Sequence, residues 1–268
     1  MRADLGGGLT LLGFDPPPDE VDAGGQLPLT LYWQAASALP GDYSARLSLV
    51  TSDGALLASE RAVPGRADYP TSAWLAGDVV RDGRSFLVPA ATPSGNYTLR
   101  LDLLDATGEP LGPSADLLRV TVSAPQRSFA LPAAQHPISA TLSGQATLLG
   151  YDLSRVAIAP GQSLTLTLYW RAEATARTSY VAFAHLLDGA ERIHAQSDRV
   201  PAAGARPTTG WLPGEIISDA FVLTTTLDVP PGEYVLEVGM YDPASGERLC
   251  LPDGGDRILL PTPIQVEM

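Results

Sequence analysis

Between Leu27 and Trp33 the apolar residues fall at every second position, with Pro28, Thr30 and Tyr32 between them. The same alternation runs through Leu164, Leu166, Leu168 and Trp170, separated by Thr165, Thr167 and Tyr169. A period of two is that of a strand with one face in a core; a helix would bring its apolar face round every three or four residues. Later stretches obey the same rule, Tyr97, Leu99, Leu101 and Leu103 in one place and Tyr234, Leu236, Val238 and Met240 in another. No helical stripe is present. Short alternating stretches, punctuated by Pro, Gly and Asp and with no helical crossovers, predict an all-β chain of antiparallel sheets packed face to face.

The pentapeptide Leu-Thr-Leu-Tyr-Trp closes both of the first two stretches, at Leu29–Trp33 and at Leu166–Trp170, 137 residues apart. The same offset relates Trp74 to Trp211 and Gly95 to Gly232. From Leu11–Asp15 (LLGFD) against Leu148–Asp152 (LLGYD) through Tyr97 against Tyr234 no gap is needed, and the register slips by one only at the turns after Asp105 and Asp242. A period this long is a whole domain, not a solenoid unit. With 268 residues, 45% of them hydrophobic, each copy can bury its own core. The expected organisation is a β-sandwich at 1–124, a proline-containing linker at 125–139 suited to an extended connection, and a second β-sandwich at 140–268. Pro28 stands where the second copy has Thr165, which predicts that the first copy's strand lies at an edge or begins after the proline.

PSGNY (Pro93 to Tyr97) and PPGEY (Pro230 to Tyr234) each set a turn before a tyrosine that opens an apolar strand. That is the pattern of a tyrosine corner, in which the hydroxyl ties the strand start back to the preceding connection in immunoglobulin-like sandwiches. Trp33 and Trp170, on the apolar phase, are expected to plug the space between the sheets.

Composition narrows the partners. The formal charge of −13 excludes a nucleic-acid role, which needs a cationic footprint, and opposes anionic membranes. All 17 basic residues are arginine. One cysteine, Cys250, rules out an intrachain disulfide. No run approaches the roughly 18 apolar residues of a membrane span, and the N-terminus lacks a signal-peptide core, so the chain is either cytosolic or has its signal or anchor outside this sequence.

Candidate chemistry is sparse. There is no GxSxG, HExxH, P-loop or Rossmann glycine pattern. His136 falls in the linker and is expected to be solvated. A hairpin turning at Asp188 to Glu191 would pair His185 with His194, close enough to share a metal; the alternative is a structural pair, and no third ligand is identifiable. Asp105, Asp242, Asp253 and Asp256 suit turns that bond their own backbone, with a calcium loop at Asp253–Asp256 as a weaker reading. Asn96-Tyr97-Thr98 fits a glycosylation sequon in a place where Asn is expected for the turn itself. Neither cofactor nor metal is assigned, and no enzyme activity is expected. Aromatic residues give the ligand-binding candidates. Trp74 and Trp211 lie in loop-like contexts, where they either expose a face for sugar stacking or a protein hot spot, or cap the sandwich core. On the second copy, Phe183 and His185 should face outward and, if Tyr169 shares their sheet face, form an aromatic patch, unless that face is covered.

The succession LLGYD, PGQSLTLTLYW, HLLD, PTTGW-x-PGE and PPGEY-x-L-x-VGMYDPASGERL resembles a β-sandwich repeat of bacterial envelope proteins, often appended to multi-pass membrane glycosyltransferases or arrayed in tandem in secreted chains. The second copy matches throughout; the first departs at Ser48–Thr51 and at Ala76–Asp78. The resemblance implies an immunoglobulin/fibronectin-III-like tandem with an accessory, non-catalytic, extracytoplasmic role as structural, spacer or interaction element. Its partners would be a protein or other domains of a larger chain. The competing expectation is a carbohydrate-binding module working through exposed aromatic rings, and direct membrane insertion is not expected.

Overall fold

A computed structural model describes residues 2–267. The chain divides into two compact units, Met1–Pro125 and Gln126–Met268. Among the described residues there is no α-helix, and none of the structure is a helix long and apolar enough to cross a membrane.

In the first unit, β1 (Ala3–Asp4), β2 (Leu9–Asp15), β3 (Glu20–Asp22), β4 (Gln26–Ala35), β5 (Ser44–Val50), β6 (Leu56–Ala62), β7 (Val79–Leu87), β8 (Gly95–Leu104) and β9 (Ala115–Ser123) form two sheets. Their orders are β1-β2-β4-β7 and β3-β9-β8-β5-β6. The second unit comprises β10 (His136–Leu142), β11 (Ala146–Leu153), β12 (Ala157–Ile158), β13 (Ser163–Ala172), β14 (Val181–Leu187), β15 (Ile193–Arg199), β16 (Ile216–Thr224), β17 (Gly232–Tyr241), β18 (Ile258–Leu259) and β19 (Ile264–Val266). Its sheets run β10-β11-β13-β16 and β12-β19-β17-β14-β15, with β18 also pairing β17.

The repeat shows in the strand boundaries themselves. β4 and β13, β5 and β14, β6 and β15, β7 and β16, and β8 and β17 each start and stop 137 positions apart. Irregularities recur too: the ladder of β2 with β4 shifts between Leu11 and Gly13, and that of β11 with β13 between Leu148 and Gly150. Pairing is antiparallel except for the short parallel pairs β3 with β9 and β12 with β19. In the first unit the chain leaves β2 through Pro16–Pro18, which cannot continue the ladder, and its continuation joins the other sheet.

The apolar phases point between the sheets. Leu27, Leu29, Leu31 and Trp33 pack with Tyr97, Leu99, Leu101 and Leu103 in the first core, and Leu164, Leu166, Leu168 and Trp170 with Tyr234, Leu236, Val238 and Met240 in the second. Both tyrosine corners close: the Tyr97 hydroxyl donates to the Pro93 carbonyl at 3.0 Å and that of Tyr234 to Pro230 at 2.8 Å.

Two expectations need correction. β4 is not an edge strand, since β2 and β7 flank it; Pro28 is tolerated because pairing with β2 ends at Thr30, so on that side the proline has no ladder bond to lose. Nor is His136, at the end of the linker stretch 125–139, simply solvated. The Ile216 amide donates to the Ser128 carbonyl at 2.7 Å, and from His136 the chain is already β10, with the His136 ring stacked on Tyr151 at 4.7 Å.

Candidate functional site

Trp74 and Trp211 follow the short 3-10 turns Thr71–Ala73 and Thr208–Gly210, and both indoles are 1% exposed. Each loop is folded over its own tryptophan by the same set of bonds. The indole Nε1 donates to the Tyr69 carbonyl at 3.0 Å and to the Arg206 carbonyl at 2.9 Å. Thr71 Oγ1 accepts the Tyr43 amide and donates to the Gly41 carbonyl, as Thr208 Oγ1 does with the Tyr180 amide and the Thr178 carbonyl. The loop ends on an acid that accepts its own loop amide, Asp78 from Leu75 at 2.8 Å and Glu215 from Leu212 at 2.9 Å. An exposed stacking platform therefore does not form. The indoles close the end of each core, because the loop backbone can satisfy Nε1 only with the ring tucked under it.

The aromatic patch expected on the second unit is also not assembled. Tyr169 stands on β13, in the other sheet from Phe183 and His185 on β14, and its hydroxyl donates to Asp152 at 2.7 Å. Phe183 and His185 do lie outside the core and stack on each other with centroids 4.9 Å apart, but they are 0% and 5% exposed. The Arg248 guanidinium covers Phe183 at 4.4 Å, a cation–π contact. Opposite Phe183 the partner strand carries Gly239, where an added Cβ would come within 2.5 Å of the ring; only glycine lets the phenyl lie flat on the backbone.

Around His185 a polar cluster closes on itself. Nδ1 lies 2.7 Å from Glu237 Oε1 and Nε2 2.9 Å from Asp198 Oδ1, so both ring nitrogens are engaged. Arg257 Nη1 donates to Glu237 Oε2 at 3.1 Å while Nη2 reaches Glu191 at 2.7 Å. His194 is not the neighbour of His185. Leu187 pairs Ile193 and Leu186 pairs Ala195, so a bulge throws His194 out of register and His185 faces Gln196. His194 Nε2 instead sits 2.9 Å from Asp188 Oδ2, and this contact, with the Arg192 amide, holds the Asp188 carboxyl far below the usual range. Among the described residues no group of three or more His, Cys, Asp or Glu is placed to hold a metal. In the Asp253–Asp256 loop, Asp253 Oδ1 accepts the Gly255 amide and Asp256 lies 3.7 Å from Arg248. Asn96 is exposed on β8, where its Oδ1 accepts from Thr121.

One feature the sequence reading missed occurs in both units. Asp82 and Asp219, on the core phase of β7 and β16, are both buried, and Asp82 accepts from the Trp33 indole. A carboxylate on an apolar phase at the same offset in both copies is the signal that marks them.

No family model matches the chain, and no curated protein matches its sequence. Among solved structures it is similar to a Corynebacterium diphtheriae protein named for an inferred membrane anchor, at 13% identity and a TM-score of 0.27 over 99% of this chain. The chain spans 59% of that protein's length.

Proposed function

We propose that the chain is a non-catalytic pair of tandem immunoglobulin/fibronectin-III-like β-sandwiches, working outside the cytoplasm as a structural, spacer or protein-interaction element of the cell envelope or of a larger assembly. The observation that carries this reading is the inward use of its polar side chains. In both units the tryptophan loop and the corner tyrosine make the same ties, each buried aspartate is held by an arginine of its own unit, and the titratable cluster of the second unit bonds its own members. The sequence resemblance and the acidic exterior, which keeps such modules soluble, support it. Sugar binding through Trp74, Trp211, Tyr169, Phe183 or His185 would need rings that are turned to solvent, and these are buried.

Cys250 is exposed and gives a direct test of the compartment. A membrane-impermeant maleimide added to intact cells should label the protein and spare a Cys250→Ser variant. Labelling only after lysis would place the chain in the cytoplasm and end the envelope reading. On a glycan array the purified chain should give no saturable signal; a signal abolished by a surface substitution that leaves folding intact would transfer the chain to the sugar-binding class.

A further inference from the structure

The two units differ at one sheet edge. In the second, residues 126–130 run along the start of β16. The Ser128 carbonyl accepts the Ile216 amide at 2.7 Å, while the Arg127 guanidinium donates to the Gly210 carbonyl at 2.9 Å and to Glu215 Oε2 at 2.5 Å. Glu215 is fully buried and its other oxygen is held by Arg206. Ile216, under this segment, is 7% exposed.

In the first unit the same backbone phase is kept. The Ala35 amide donates to the Asp78 carbonyl and the Gly77 amide to the Ala35 carbonyl, as Ala172 does with Glu215 and Gly214 with Ala172. The Val79 amide therefore points off the free edge of β7, as the Ile216 amide points at Ser128. The side chains match as well: Asp78, half-buried, takes the place of Glu215, and it accepts from Tyr69 and from the Leu75 amide on the one oxygen Oδ2. Leu75 and Val79 are 67% and 58% exposed.

We infer that this edge of the first unit is a docking site for an extended, arginine-bearing segment of another polypeptide, bound as residues 126–130 bind the second unit. The arginine pairs with Asp78, the carbonyl of the next residue accepts the Val79 amide, and the segment covers Leu75 and Val79. The site is a strand-edge addition with one charge-assisted anchor. The second unit supplies the template and the charge complementarity supplies the specificity. The proposal narrows the interaction reading above and rests on it for the existence of such a partner.

The test uses the full chain and a labelled peptide of residues 124–132 (APQRSFALP), followed by fluorescence anisotropy. Saturable binding is expected, weakened at least tenfold (about 1.4 kcal/mol) by Ala in place of the peptide arginine, by Asp78→Asn in the protein, or by Val79→Pro. The last removes only an outward amide at an edge where proline is tolerated, and circular dichroism confirms that each variant is folded. No saturable binding at millimolar peptide, or binding that ignores both Asp78→Asn and Val79→Pro, overturns the site. Either result leaves the module reading to its own tests, cell-surface labelling and the glycan array.

Discussion

Trp33 and Trp170 occupy equivalent places, yet their surroundings are wired differently. In the first unit Trp33 Nε1 donates to Asp82 at 3.0 Å, and Arg84, two residues along the same strand, donates to the same oxygen at 2.8 Å. At the position of Arg84 the second unit has Phe221, and at that of Ala62 it has Arg199. The guanidinium thus reaches Asp219 from β15 instead of β16, at 3.0 Å, and stacks on the Phe221 ring at 4.3 Å. Trp170 Nε1 and Asp219 Oδ2 are buried without a hydrogen-bond partner. What is kept between the copies is a charge beside a buried carboxylate; which strand supplies it is free to change. The outer faces diverge in the same way. Arg46 opposite Asp102 in the first unit becomes Phe183 opposite Gly239 in the second, and Ser48 opposite Arg100 becomes His185 opposite Glu237.

This comparison is broken most severely by taking away the guanidinium. Arg84→Ala should cost about 3–5 kcal/mol in urea denaturation, because it strands a buried charge; Arg199→Ala should cost less, its side chain being 23% exposed against 8%. Moving the second unit's solution into the first sharpens the point. Arg84→Phe alone should destabilise strongly, and adding Ala62→Arg should recover most of the loss; no recovery would show that the two wirings are not interchangeable. A smaller difference is expected at the tryptophans. Trp33→Phe should cost about 1–3 kcal/mol more than Trp170→Phe, since only the first leaves a buried acceptor short of a donor. Tyr97→Phe and Tyr234→Phe should each lose about 0.5–1.5 kcal/mol, and equal losses would confirm that the corners are equivalent.

The smallest effect is one of pH. Burial raises the pKa of the Asp219 carboxyl against the opposing pull of the Ala202 amide and Arg199. The folded state therefore holds this proton more tightly than the unfolded chain. Its contribution is full below the ordinary aspartate value and is lost as the pH rises through the raised one. The stability of Asp219→Asn relative to the parent should accordingly improve between about pH 4 and pH 7. A flat difference over that range would show that Asp219 titrates normally.

The strands were legible because one face of each is core, so a period of two and an offset of 137 appear directly in the letters. The tryptophan loops were not, since Trp74 and Trp211 have no periodic context; their burial comes from a loop that closes through Thr71, Thr208 and two backbone carbonyls far along the chain. The His185–His194 pairing failed at a bulge, where one extra residue shifts everything beyond it and leaves no compositional mark. Whether Tyr169 joins Phe183 and His185 stays open in the sequence, because alternation tells which face a residue occupies and not which sheet its strand joins; the structure puts β13 and β14 in different sheets. Asp82 and Asp219 were open to discovery: an acid in phase with Phe86 and Phe221, twice, has no explanation at the surface.

Residue-resolved amide hydrogen exchange tests most directly the claim that one scaffold occurs twice, sealed by its own chain at one edge in the second unit and open there in the first. Ala35 and Ala172, both bonded to the carbonyl of the closing acid, should be protected, whereas Ile216 should exchange slowly and Val79 at nearly the rate of an unstructured chain. Equal protection of Val79 and Ile216, or an Ala35 amide that exchanges freely while Ala172 does not, would contradict it.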